Sequence, residues 1–270
     1  MHRLLVVICG PADAELAADA LWGLGVTAID ERSVGNLTEL WTSVGDEVEA
    51  VLADVDAHGF AWRIEEIDTS VVDTWRQHVG RFEVSARLAI RPAWVTAGGE
   101  SRVGQHELVI EPGSSFGMGD HPTTRLCLRA VDRLVGRGAQ VLDVGTGSGV
   151  LAVAAAVLGA DFVTAIDLGP HSPMITRTNA TANGVGERIV ASDTPLAEVD
   201  GRFELVLANI LAPVLIEMGA DLRRVLAPEG RLVISGLLRS RYLHVLDALG
   251  PLRPIRIDGD AGWVAVELMW

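Results

Sequence analysis

The chain has 270 residues, 49% of them apolar and 21% charged, enough for a packed core of one large domain or two smaller ones. A net charge of −14 argues against a nucleic-acid-binding surface, which draws on clustered Lys and Arg; it would steer in a basic partner, or it serves solubility alone. No apolar run reaches the roughly 18 to 20 residues of a membrane span, and Cys9 and Cys127 stand far apart in no paired motif, so neither a disulfide framework nor a metal site is expected.

Near the N-terminus "LLVVIC" (4–9) suits a buried strand and is too short for a signal-peptide core, so the chain reads as cytoplasmic. "ADAELAADALWGLG" then has helical spacing and stops on Gly25. "VTAIDER" and "LTELWTSV" are strand-like around a "VGN" turn. "DEVEAVLADVDAHG" is a second helix with acids in its first turn, and "AWRIEEID" a closing strand. The order β-α-β-β-α-β predicts a small ferredoxin-like α+β domain over residues 1–68. It contains no catalytic constellation, so substrate recognition is its expected role.

Residues 69–80, "TSVVDTWRQHVG", read as a helical connector. "RFEVSARLAIRPAWV" and "HELVIEPG" then read as strands about a turn at Gly98 and Gly99, a β-hairpin extension opening a domain of residues 81–270. Further on, "AQVLDVG", "DFVTAID", "RIVAS", "RFELVLAN" and "GRLVISG" are strand candidates, each followed by a helical or loop segment, with "GWVAVELMW" as a last strand. That alternation predicts an α/β fold whose mostly parallel sheet is covered by helices on both faces.

"VLDVGTGSGVLAVAAA" runs from a strand through Gly145, Gly147 and Gly149 into an alanine-rich helix. Glycines there let the backbone turn tightly and let a ligand approach it. The dinucleotide fingerprint requires a third glycine where this chain has Val150, and Asp143 would sit poorly beside a pyrophosphate. A carboxylate at that point suits a cationic ligand, the sulfonium or ammonium of S-adenosylmethionine, better than NAD. Asp167 ends the next strand, where an acid can accept both ribose hydroxyls. Asn209, in "LANILAPVL", falls at a strand's carboxyl end and could orient an amine. Alternatively it caps the helix beginning near Pro213 or touches the cofactor.

"EPGSSFGMGDHPTTRLCLRAV", "VLDVGTGSGVLAVAA", "IDLGP", "NATANGV", "ANIL" and "ISGLL" follow one another at a spacing that resembles the ribosomal protein L11 methyltransferase (PrmA-type) family. The resemblance covers about residues 70–270 and implies a Rossmann-like class I methyltransferase domain with a mostly parallel seven-stranded sheet. It implies transfer of methyl groups from S-adenosylmethionine to lysine or N-terminal amines of a lysine-rich protein of the large ribosomal subunit, without nucleic-acid or membrane partners. Thr124, Asp143, Gly145, Gly147, Asp167 and Asn209 should then contact the cofactor. Phe116, Gly117, Gly119 and His121 should arch over its methionine end. Met118, Asp120 and Gly169 depart from the family pattern. A related enzyme acting on another protein or a small amine, a non-catalytic binding protein, and a dehydrogenase are the competing readings.

Overall fold

A computed structural model describes residues 2–11, 13–23, 26, 30–43, 55–56, 59–67, 80–96, 98, 102–112 and 117–270. The chain divides into two compact units, Met1–His78 and Val79–Trp270. The expected connector over 69–80 lies outside the described residues apart from Gly80, and so does most of the helix expected over 46–59, of which Val55 and Asp56 are helical.

In the first unit, β1 (His2–Cys9), α1 (Ala14–Gly23), β2 (Asp30–Val34), β3 (Leu37–Ser43) and β4 (Ala61–Ile67) follow in sequence. The strands lie in the order β2-β3-β1-β4, antiparallel throughout, which is the sheet of a ferredoxin-like domain. Strand periodicity of two sets its core: Leu5, Val7 and Cys9 of β1 pack with Ala14, Ala17 and Leu21 of α1. Glu39, Trp41 and Arg63 form a polar cluster in which Arg63 Nη1 pairs with Glu39 Oε1 at 2.8 Å and the Arg32 guanidinium lies 4.3 Å from the Trp41 ring centre.

The second unit opens with β5 (Phe82–Glu83), β6 (Leu88–Pro92) and β7 (His106–Ile110). The single run expected over "RFEVSARLAIRPAWV" is broken because Ser85 Oγ accepts the N–H groups of Arg87 and Leu88, both at 3.1 Å, and bends the chain. β5 pairs antiparallel with β6, but β7 joins β6 in parallel, so the strands on either side of the Gly98 turn are not a hairpin.

Next come α2 (Pro122–Leu134), β8 (Gln140–Val144), α3 (Val150–Leu158), β9 (Phe162–Ile166), α4 (Ser172–Ala182), β10 (Ile189–Ser192) and β11 (Phe203–Asn209). The chain ends with α5 (Ala212–Glu217), α6 (Gly219–Val225), β12 (Leu226–Leu238), α7 (Leu243–Ala248), β13 (Arg253–Asp260) and β14 (Trp263–Met269). Seven strands form one sheet in the order β10-β9-β8-β11-β12-β14-β13, with β14 running against the rest.

Both faces are buried. Val141, Leu205 and Leu207 enter one core with α2 and α3, while Leu142, Val206 and Ala208 enter the other with α5 to α7. Burying one such Leu or Val contributes about 1.5–3 kcal/mol, so the two layers hold the strand ends rigidly. Among the described residues no helix is long and apolar enough to cross a membrane.

Candidate active site

In the sheet β8 lies between β9 and β11, and helices leave β8 and β11 toward opposite faces. That is a topological switch point, where the loops at the carboxyl ends separate and leave a crevice. Three loops meet there. The first, 145–149, turns back on β9: the N–H groups of Gly145 and Thr146 both donate to the Ile166 carbonyl, at 2.9 and 3.0 Å. Gly145 (φ 70°) and Gly149 (φ 81°) are left-handed. A Cβ on Gly145 would lie 2.4 Å from Ile210 Cγ2, and one on Gly149 would lie 2.9 Å from the Thr176 Cα. Only glycine fits either place, for space as much as for φ.

Asp167 follows β9 and is held by backbone: its Oδ2 accepts from Gly147 N–H at 2.8 Å and its Oδ1 from Gly169 N–H at 2.7 Å. Each carboxylate oxygen keeps a further lone pair for a hydroxyl donor. Gly145 and Asp167 line a cavity of about 160 Å³ whose other walls are mainly apolar, among them Ile166, Leu168, Leu196 and Ile210. It has the character of a slot for one flat ring, with a carboxylate at its edge.

Asp143 is placed otherwise. It is fully buried and lies beneath the loop, where Thr146 Oγ1 donates to its Oδ2 at 2.6 Å. Its Oδ1 makes no close hydrogen bond among the described residues. Desolvation, opposed by the Thr146 hydroxyl and the Ala152 backbone N–H and reinforced by the charge of Asp167, pushes its carboxyl up to about 7.

The segment 117–124 reaches the loop from the other side. Ser148 Oγ donates to the Gly117 carbonyl at 2.5 Å. His121 is the N-cap of α2, with Pro122 in the first turn; its Nδ1 accepts from Thr123 N–H at 3.4 Å. The ring stands edge-on to Trp263 at 5.3 Å, and burial, aided by Arg125 and opposed by Asp120, lowers its pKa. Thr124 is buried, and its Oγ1 accepts from Asn209 Nδ2 at 3.3 Å.

Four of the residues expected at the cofactor also meet one another, Thr124 with Asn209 and Gly147 with Asp167. Asn209 does not cap the next helix, whose N-cap is Leu211. Met118, one of the departures from the family pattern, is buried in the core cluster packed with α2 and α3. Phe116 lies outside the described residues. Sequence reasoning passed over Ser148, Ile210 and Asn179. Ser148 stands inside the quoted loop, and Asn179 inside "NATANGV", but neither carries a residue type that announces a site.

Comparison with known proteins gives one consistent answer. The family described as "Ribosomal protein L11 methyltransferase (PrmA)" matches residues 25–269. A protein of Geobacter metallireducens named ribosomal protein L11 methyltransferase is 46% identical over 173 residues, 64% of this chain and 56% of the relative. One of the same name from Symbiobacterium thermophilum is 38% identical over 231 residues, 83% of this chain and 73% of the relative. The first of these matches spans little more than half the length of its curated relative. A crystal structure described as a ribosomal protein L11 methylase from Lactobacillus delbrueckii subsp. bulgaricus is similar at a TM-score of 0.66 and 32% identity, covering 70% of this chain and 98% of that one.

Proposed function

Because the chain belongs to the ribosomal protein L11 methyltransferase (PrmA) family, we propose that it uses S-adenosylmethionine to methylate lysine or N-terminal amines of ribosomal protein L11 in the cytoplasm. The crevice suits that cofactor on three counts. Gly145 brings bare backbone to the wall of the cavity, the Asp167 carboxylate can accept ribose hydroxyls, and the apolar space beside it takes an adenine ring. The buried Asp143 oxygen supplies negative potential under the loop, which favours a cation above it. When bound, S-adenosylmethionine supplies an electrophilic methyl group on a sulfonium.

The single observation that carries the reading is the Asn209–Thr124 pair at the end of β11. Donation from Asn209 Nδ2 to Thr124 Oγ1 fixes the amide so that Oδ1 is the atom offered to an incoming amine. A lysine amine arrives protonated, with a pKa of about 10.4 in water, and must lose that proton before its lone pair can attack. Partial desolvation in the crevice lowers that pKa, and water can take the proton. Asn209 Oδ1 then accepts one of the remaining N–H bonds and holds the lone pair in line, which is positioning rather than acid–base work. The first unit is assigned the docking of the protein substrate, and the net charge of −14 favours a basic one.

The test is labelled S-adenosylmethionine with an extract of cells lacking this gene. One labelled band identified as L11 is expected, and label on any other protein discards the substrate while keeping the chemistry. Asn209→Ala should lower kcat about 10-fold or more with cofactor affinity nearly unchanged; parent-level turnover would end the positioning role.

A further inference from the structure

Asn179 of α4 and Asn183, the residue that caps its C-terminus, stand four residues apart, and both carboxamides are spent on backbone at the distant end of β7, at Val109 and at Glu111 just past the strand. Asn183 Oδ1 accepts from Val109 N–H, and its Nδ2 donates to Val109 C=O, each at 2.8 Å. Asn179 does the same at Glu111: Oδ1 accepts from its N–H at 3.0 Å and Nδ2 donates to its C=O at 2.8 Å. Four residues of helix advance about 6.0 Å, and two residues of strand about 6.6 Å. The helix and its cap therefore present two amides in step with successive edge-facing peptide groups at the end of β7. They replace the hydrogen-bonding partner that β6 supplies on the other edge.

Asn179 does one thing more. Its Nδ2 also donates to the Ser148 carbonyl, at 2.8 Å. Ser148 in turn donates from Oγ to Gly117 C=O, at 2.5 Å. One fully buried carboxamide thus joins the exit of β7 to the glycine loop, and the loop is joined to the segment that leads to His121 and Thr124. Asn183 touches β7 and the end of its own helix, but not the loop.

We propose that Asn179 is a positioning residue for the cofactor site, setting the distance between the glycine loop and the strand from which the 117–124 segment departs, whereas Asn183 only anchors β7. The inference rests on the cofactor reading above for its effect on affinity, and on the hydrogen bonds alone for its effect on the loop. Asn179→Asp keeps the shape but turns a carboxylate oxygen toward two carbonyl oxygens, so it should separate the elements. Asn179→Ser removes the link without adding charge and serves if the Asp variant does not fold.

Two measurements on the full chain decide the matter: S-adenosylmethionine affinity by calorimetry, and amide hydrogen exchange of residues 145–150 and 106–112. The Asn179 variants should bind the cofactor about 10-fold or more weakly, and exchange faster in both stretches. Asn183→Ala should exchange faster only in 106–112 and keep affinity within about threefold of the parent. Parent-level affinity and loop protection in a folded Asn179 variant overturns the proposal. So does an Asn183→Ala variant that loses as much in both measurements, because that is a loss of general stability. If the parent itself fails to bind S-adenosylmethionine, the proposed function falls, and exchange in 145–150 still judges the link.

Discussion

Replacing Asp143 by Asn tests the electrostatics of the loop without a ligand. The carboxyl is fully buried, one oxygen accepts from Thr146, and the other makes no close hydrogen bond among the described residues. Its pKa rises from an ordinary 3.8 to about 7. For an acid whose folded-state pKa is raised, the folded chain binds more protons than the unfolded one between those two values, so stability falls as pH rises through that window. At 1.36 kcal/mol per pH unit the ionised form carries a cost of at most about 4 kcal/mol above pH 7. Asn cannot ionise, retains an oxygen for Thr146, and leaves an amide N–H group unpartnered at a cost of about 1–3 kcal/mol. The variant should therefore be no more stable than the parent near pH 4, and more stable by about 1–3 kcal/mol near pH 8. Urea unfolding of both proteins at the two pH values measures this, since every other titrating group is common to the pair. A stability difference that does not change with pH would refute the reasoning. Under the proposed function a bound cation favours ionised Asp143, so cofactor affinity should rise with pH toward 7 in the parent and stay flat in the variant.

Gly145→Ala should cost about 1–3 kcal/mol of stability, from a left-handed alanine and a displaced Ile210, and should weaken cofactor binding at least tenfold in the same calorimetric assay (about 1.4 kcal/mol). Glu267, on β14, pairs with Arg133 at 2.8 Å and Arg231 at 3.4 Å while its own side chain is 8% exposed. Glu267→Ala should lower unfolding stability by about 1–3 kcal/mol, less than for a fully buried pair because both arginines reach solvent; an unchanged urea midpoint would count against it.

What could be read from the sequence follows from how each element is stabilised. β8, β9 and β11 are largely buried on both faces, so each is mostly apolar between turn residues, with few polar interruptions. β13 was not anticipated, because "RPIRIDGD" is an edge strand, exposed along most of its length and held by backbone pairing to β14. No run of side chains records such a strand. The site divides along the same line. Gly145, Gly147 and Asp167 could be found because a strand, a tight loop and the end of the next strand impose residue types at fixed intervals. The Thr124–Asn209 contact joins positions 85 apart, and the family resemblance alone brought the two together. Ser148 and Asn179 stayed invisible for a different reason: their partners are carbonyl and N–H groups of Gly117, Glu111 and Ser148, and any residue supplies those. A side chain that acts on backbone leaves no complementary residue elsewhere in the sequence to betray it. The segment "GMGDHPTT" is therefore held in place largely by residues outside itself, and its own unusual composition reflects the backbone angles and buried space it must occupy there: Gly117 and Gly119 at positive φ, Met118 in the core, His121 at a helix cap.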